Sequence, residues 1–97
     1  MVCKQIKVYV KPGHLAEYLA AQAVWNRETA GCSGFVRAFC GQDAAEPNVV
    51  HLHFYWQTRA DLDRFMADDH DRIAALAGAD AHIERIEVSI LDQRPLP

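Results

Sequence analysis

The chain is short of several features that mark whole functional classes. Its opening, MVCKQIKVYV, has no basic stretch feeding a long apolar run, and nowhere do apolar residues approach the roughly 20 needed to span a bilayer. Neither a signal peptide nor a membrane anchor is expected, and the cytoplasm is the expected compartment. Basic residues are outnumbered, with 10 Lys and Arg against 13 Asp and Glu for a net charge of −3. A protein built to neutralise phosphate backbones needs clustered Lys and Arg, so no nucleic-acid partner is expected. Cysteine is scarce: Cys3, Cys32 and Cys40 are an odd number with no C-x-x-C spacing. They fit free thiols of a reducing compartment, acting as small buried hydrophobes, better than a disulfide framework. Repeats, linkers and low-complexity tracts are also missing. What remains is 97 residues, 51% of them hydrophobic, enough for one core and one domain over residues 1–97. Chains of this size leave much apolar area exposed as monomers, and self-association is a common remedy.

The periodicity is clear in most of the chain. Val2 to Val10 alternates, with Ile6, Val8 and Val10 on one side and Gln5, Lys7 and Tyr9 on the other, the pattern of a strand with one buried face. Lys11-Pro12-Gly13 breaks it, and His14 to Ala30 is rich in helix formers, with Gly31 as its stop. At 100° per residue the apolar stripe of this helix is Leu15, Tyr18, Leu19, Ala23 and Trp25, with Gln22 and Asn26 near its middle. Two amides are thus aimed at the core unless the helix is rolled to bring them to its solvated edge. Buried without partners, each costs on the order of 1–3 kcal/mol, so backbone, water, a ligand or a second subunit must satisfy it.

Phe35 to Gly41 reads as a second strand of undetermined parity, in which strict alternation puts Phe35, Arg37 and Phe39 together. Gln42 to Asn48 is a surface connection. Val49 to Trp56 is a third strand, with Val50, Leu52, Phe54 and Trp56 on the helix side and His51, His53 and Tyr55 opposite. Thr58 is placed to cap the following helix, with Asp61 three residues on. Continuing that helix would bury Asp69, so a break is expected at Asp68-Asp69 and a second short helix from His70 to Ala77, ended by Gly78. Ile83 to Leu91 alternates again, with Ile86, Val88 and Ile90 opposite Arg85, Glu87 and Ser89.

The order β-α-β-β-α-β predicts an α+β, ferredoxin-like fold with a four-stranded antiparallel sheet and helices on one face. The other face collects Gln5, Lys7, His51, His53, Tyr55, Arg85, Glu87 and Ser89. Such a face is either solvated or covered by another subunit.

Phe54-Tyr55-Trp56, Thr58 ahead of a Phe65-Met66 helix, His70-Asp71-Arg72-Ile73, and the pairs Trp25-Asn26 and Gly34-Phe35 resemble the antibiotic biosynthesis monooxygenase-like proteins, specifically an uncharacterised branch. The resemblance spans nearly the whole chain. It implies a dimeric α+β barrel in which two sheets pack their open faces together, a homodimer. Characterised relatives oxidise polycyclic aromatics with dioxygen and no added cofactor, while others open haem or act on quinols, so membership alone does not fix the reaction. The haem-degrading branch relies on an Asn in the first strand, a Trp in the helix after the third strand and a His near that helix's end. Here the first strand has no Asn, Phe65 stands at the Trp position and His70 lies too early, which argues against haem cleavage.

Gln22, Asn26, Trp56 and His70 are expected to converge in a cleft between helices and sheet, with Trp25 on its rim and Phe65 as a further aromatic wall. A cofactor-free oxygenase must bind a planar aromatic, remove a proton and stabilise the anion until dioxygen reacts. His70 is the candidate base, since histidine titrates nearest neutrality, with Asn26 and the Trp56 indole as donors. Gln22, Trp25 and Phe65 are the ligand-contacting candidates. The competing account makes both tryptophans core aromatics and His70 a cap at the helix break. His51-x-His53 has metal-ligand spacing along a strand and could take zinc or copper with a third ligand such as Glu87, but the pattern identifies no complete ligand set, so no metal and no cofactor are expected. Gly34-Phe35-Val36-Arg37-Ala38-Phe39 is similar to the aromatic motif of RNA-recognition domains, but it lies on the second strand instead of the third. Two functions remain: a small-molecule-binding protein resembling cofactor-independent monooxygenases of aromatic or polyketide-like substrates, or a non-catalytic dimeric ligand-binding or accessory protein.

Overall fold

The computed structural model describes residues 1–96. The chain runs β1 (Val2–Val10), α1 (Leu15–Thr29), β2 (Phe35–Gln42), β3 (Val49–Trp56), α2 (Arg59–Asp68), α3 (His70–Ala77), a 3-10 turn (Ala79–His82) and β4 (Ile83–Asp92). The strands form one four-stranded sheet in the order β2-β3-β1-β4, with each neighbouring pair antiparallel. The ferredoxin-like arrangement expected from the alternation is therefore present, with the second helix split in two.

Register fixes which side chains share a face. β1 and β3 pair without interruption, Val2 opposite Trp56, Lys4 opposite Phe54, Ile6 opposite Leu52 and Val8 opposite Val50. These residues make the helix side of the sheet, and Val2, Val8, Val50, Leu52, Phe54 and Trp56 join Tyr18, Leu62, Phe65 and Ile73 in the core. Strict alternation fails in β2. The β2–β3 register shifts between Phe35 and Arg37, leaving Val36 as the extra residue of a bulge. Phe35 consequently stays on the helix side opposite Trp56, whereas Arg37 and Phe39 face the other way opposite Tyr55 and His53, contrary to the shared side that simple alternation assigns them.

A second departure concerns β4. Ile86, Val88 and Ile90 pair with Val8, Ile6 and Lys4 and so share the helix side, yet they are 50%, 47% and 41% exposed. On the helix side the buried residues of the sheet all belong to β1 and β3, because the helices lie over the two central strands and leave β4 bare.

Helix α1 is rotated from its expected phase. Tyr18, Ala21, Gln22 and Thr29 are its buried residues, while Leu19 and Ala23 are exposed. The inward stripe Tyr18, Gln22, Trp25, Thr29 still follows helical spacing, but it is half polar, and counting only apolar residues therefore misplaces it. Thr58 caps α2 as expected: its Oγ1 accepts from the Asp61 N–H at 3.1 Å and donates to Asp61 Oδ2 at 2.8 Å. That hydroxyl is the main cause holding the Asp61 carboxyl below its usual range. At Asp69 the chain bends, with φ −120° and ψ −31°, before α3 begins. Arg72 ties the bend to itself and to α1, reaching Asp69 at 3.1 Å and Glu28 at 3.8 Å. Gly78, at φ 64°, ends α3.

Two local constraints anchor these elements. Gly34 has φ 81° and lies against Asp61 so closely that a Cβ would overlap that carboxylate side chain, while its carbonyl accepts from Gln57 N at 2.9 Å. Asp43 organises the β2–β3 connection: Oδ1 accepts from Ala45 N and Glu46 N at 2.9 and 3.0 Å, and Oδ2 lies 2.8 Å from His51 Nε2. The His51 contact first, and the two backbone donors after it, hold the Asp43 carboxyl down to about 2.

Gly34→Ala is expected to lower stability by about 2 kcal/mol in urea denaturation, because it combines a left-handed backbone with the Asp61 collision. An unchanged midpoint would mean that Asp61 moves aside freely. Because the Asp43 carboxyl is depressed from 3.8 to about 2, its stabilising contribution is complete above the ordinary value and disappears as pH falls through about 2. Carboxyl-carbon NMR should give a midpoint near 2 for Asp43, and one near 3.8 would show that the turn does not hold it.

Candidate functional site

A cleft of about 410 Å³ opens between the helix layer and the sheet, within the roughly 300–1,000 Å³ typical of small-molecule sites. Its floor is Lys4, Ile6, Val8, Leu52, Phe54 and Trp56 from the central strands. Tyr18, Gln22, Trp25 and Thr29 descend from α1, and Phe65, His70 and Ala74 close it from α2 and α3. Of the residues singled out in the sequence, Gln22, Trp25, Trp56, Phe65 and His70 meet in this one cleft. Asn26 is half-buried and does not line it, standing one helical turn beyond Gln22.

The polar stripe of α1 is satisfied internally. Tyr18 Oη donates to Gln22 Oε1 at 2.9 Å, and Gln22 Nε2 donates to Asn26 Oδ1 at 3.0 Å, each step spanning one helical turn. A donor chain therefore runs outward along the helix from a fully buried phenol, whose pKa burial pushes up. The two amides need no ligand to avoid the cost of an unpaired buried group. Gln22 is satisfied by Tyr18 and Asn26 by Gln22, so the buried phenol anchors both amides.

Trp56 is held differently. Phe65 packs on it at 4.8 Å between centroids, and Phe35 meets it edge-on at 5.5 Å with the planes at 75°. The ring is 1% exposed, and its Nε1 has no hydrogen-bond partner among the described residues. Thr29 Oγ1, also in the cleft lining, is likewise buried and unpartnered. An orphan indole N–H costs on the order of 1–3 kcal/mol and marks a place where an acceptor would be welcome.

His70 opens α3 just past the bend at Asp69. Its ring packs on Trp25 at 5.1 Å and stands perpendicular to Phe65 at 6.3 Å. Nδ1 lies 3.0 Å from Asp71 Oδ1, so donation through Nδ1 leaves the Nε2 lone pair available as a base. Asp71 is fully exposed, however, which makes this a weak orienting contact.

Lys4, Tyr18 and Thr29 belong to the lining without a place among the sequence-derived candidates. Lys4 was legible by phase, since it lies two residues from both Val2 and Ile6 and must share their face. Its Nζ lies 3.3 Å from Met66 Sδ, and burial pushes its pKa below the ordinary value.

The opposite sheet face carries the polar set expected of it. Gln5, Lys7, His51, His53, Glu87 and Ser89 surround a shallow hollow there. His51 is engaged by Asp43, and His53 sits between Phe39 at 5.6 Å and Tyr55 at 6.4 Å. Arg37 lies over Tyr55 at 4.6 Å, and Arg85 over Tyr9 at 3.6 Å while bonding Glu87 at 2.7 Å. No helix among the described residues is long and apolar enough to cross a membrane.

Solved structures share this architecture. SnoaB, a cofactor-independent oxygenase from Streptomyces nogalater, superposes with a TM-score of 0.84 at 21% identity, over 98% of this chain and 94% of that one. A structure described as an antibiotic biosynthesis monooxygenase gives 0.81 at 22% identity over 98% and 100% of the chains. A conserved protein from Methanosarcina mazei Go1 gives 0.82 at 20% identity over 97% and 94%. At these identities the likeness establishes the fold alone. No curated protein sequence matches significantly. Residues 2–91 match the family model described as Domain of unknown function (DUF4937), nearly the full chain, and the protein therefore belongs to that family, an uncharacterised branch built on the antibiotic biosynthesis monooxygenase fold.

Proposed function

We propose that the chain binds a small planar aromatic molecule in the helix–sheet cleft and oxidises it with dioxygen without an added cofactor. The observation that carries this reading is the orphan Trp56 N–H in a lining that also holds His70, with Trp25, Phe65 and Phe54 as aromatic walls. Aromatic walls suit a flat ring, and an indole donor suits an oxygen on that ring. His70 supplies the base that would remove a proton from the bound molecule. Asn26 acts through Gln22 by holding its amide in place. SnoaB, described as a cofactor-independent oxygenase, lends the reaction type by its fold alone.

The site would work within a homodimer formed through the open sheet faces. Phe39, 56% exposed, and Leu91, 47% exposed, give that face apolar area beside its histidines, arginines and Glu87. Burying such a face against its own copy would bring it into the barrel arrangement that the resemblance implies.

Anthrone is a suitable probe, because its methylene loses a proton readily and reacts with dioxygen. That carbon becomes a carbonyl, with one oxygen atom retained and the other leaving as water. Dioxygen uptake above the spontaneous rate is expected after exhaustive dialysis against chelator. In His70→Ala, with circular dichroism unchanged, the enzymatic excess should fall by about 100-fold, the scale of general-base catalysis. Anthrone binding, read by Trp fluorescence, without uptake in either protein would establish the non-catalytic binding protein instead. Separately, light scattering should return twice the chain mass, and Phe39→Glu should halve it; a wild-type monomer would remove the barrel.

A further inference from the structure

Resting on the reading of the cleft as an aromatic-binding site, we infer that its ligand is an anion, an aromatic carrying a carboxylate or an equally acidic oxygen, and that Lys4 is the residue that receives that charge. Lys4 is the only ammonium in the lining, placed on the helix side of the sheet among Ile6, Phe54, Phe65 and Trp56. A lysine on such a face ordinarily pairs with a carboxylate or reaches water along its stem. Here its one hydrogen-bond partner among the described residues is the Met66 thioether, a weak acceptor at the exposed edge of the cleft, and none of the ion pairs among the described residues includes it.

The acidic group of the lining cannot serve it. Asp80 precedes Ile83, which pairs with Val10, so Asp80 lies near the far end of β1, about 20 Å from Lys4 at roughly 3.3 Å per residue. Arg85 also borders the cleft, but its guanidinium lies on the opposite face of the sheet, committed to Glu87 and the Tyr9 ring. Lys4 is therefore the free charge at its end of the cleft.

A second donor stands beside it. Val2 pairs with Trp56 and Lys4 with Phe54, which makes Lys4 and Trp56 diagonal neighbours on one face, with β-carbons roughly 7 Å apart. The indole N–H of Trp56 is buried and unpartnered, so a ligand oxyanion seated on Lys4 lies one side chain away from a second donor. A ligand with a neutral oxygen would satisfy the indole and leave the ammonium facing sulfur. Burial pushes the Lys4 pKa down, and an anionic ligand would restore it.

The test compares 2-naphthoate with its neutral analogue 2-naphthamide by isothermal titration calorimetry at pH 7. The wild-type protein is expected to bind the carboxylate about tenfold more tightly, the scale of one charge-assisted hydrogen bond. In Lys4→Met, which keeps the stem and removes the charge, the preference should vanish while the naphthamide affinity stays within about twofold, since uncharged wall contacts are untouched. Lys4→Gln provides the same comparison with a polar end group and stands in if the methionine variant does not fold. Equal binding of both probes by the wild type, or a carboxylate preference that survives loss of the ammonium, would overturn the inference while leaving the aromatic cleft intact. Failure of the wild type to bind either probe would overturn the cleft reading and this inference with it.

Discussion

The packing of Trp56 is the constraint on which the rest depends. It is the last residue of β3, its ring wedged between Phe35 and Phe65, and the chain must turn into a helix immediately after it. That turn works because Gly34 lets β2 approach the start of α2, Gln57 bonds back to the Gly34 carbonyl, and Thr58 caps the helix at once. The helix then runs from a fixed point, which sets where Phe65 lands on the indole and where His70 emerges past the bend. A cleft floored by strands and walled by helices keeps its shape only if that junction is rigid, and aromatic contacts on both sides of one ring supply the rigidity.

The central strands were legible from alternation because burial in β3 is periodic and the pairing of β1 with β3 is regular. The bend at Asp69 was legible too, since an aspartate in the middle of an apolar stripe is costly to bury. The phase of α1 was legible in part: Gln22, placed inward, is buried, whereas Leu19 and Ala23, counted into the same stripe, are exposed. Its inward residues Gln22 and Thr29 are polar, and only the hydrogen bond from Tyr18 makes an inward amide acceptable. A long-range or side-chain bond of that kind leaves no trace in a hydrophobicity count. The bare flank of β4 escaped for a different reason: Ile86, Val88 and Ile90 alternate as a buried face would, and alternation does not say how many strands a helix layer covers.

The site shows the same division. Trp25, Trp56, Phe65 and His70 could be grouped because aromatic and imidazole side chains on neighbouring elements of this topology point to one interior. The phase of Lys4 is plain in the sequence, but a lysine on a first strand reads there as solvated surface. Its position becomes informative only when Phe54 is seen opposite it and Met66 above it. Charge inside an apolar lining is a stronger functional signal than another aromatic, since packing alone never calls for it.

The bulge at Val36 has a consequence for how this strand divides its labour. One additional residue shifts β2 by half a pleat, so that the segment before it packs Phe35 against the Trp56 indole and the segment after it serves the opposite surface through Arg37 and Phe39. Deleting Val36 would make the ladder more regular while turning either Phe35 away from the indole or Phe39 away from the open face. The irregularity lets a single edge strand contribute an aromatic to each side of a sheet one residue thick, and so couples the packing around Trp56 to the shape of the open sheet face.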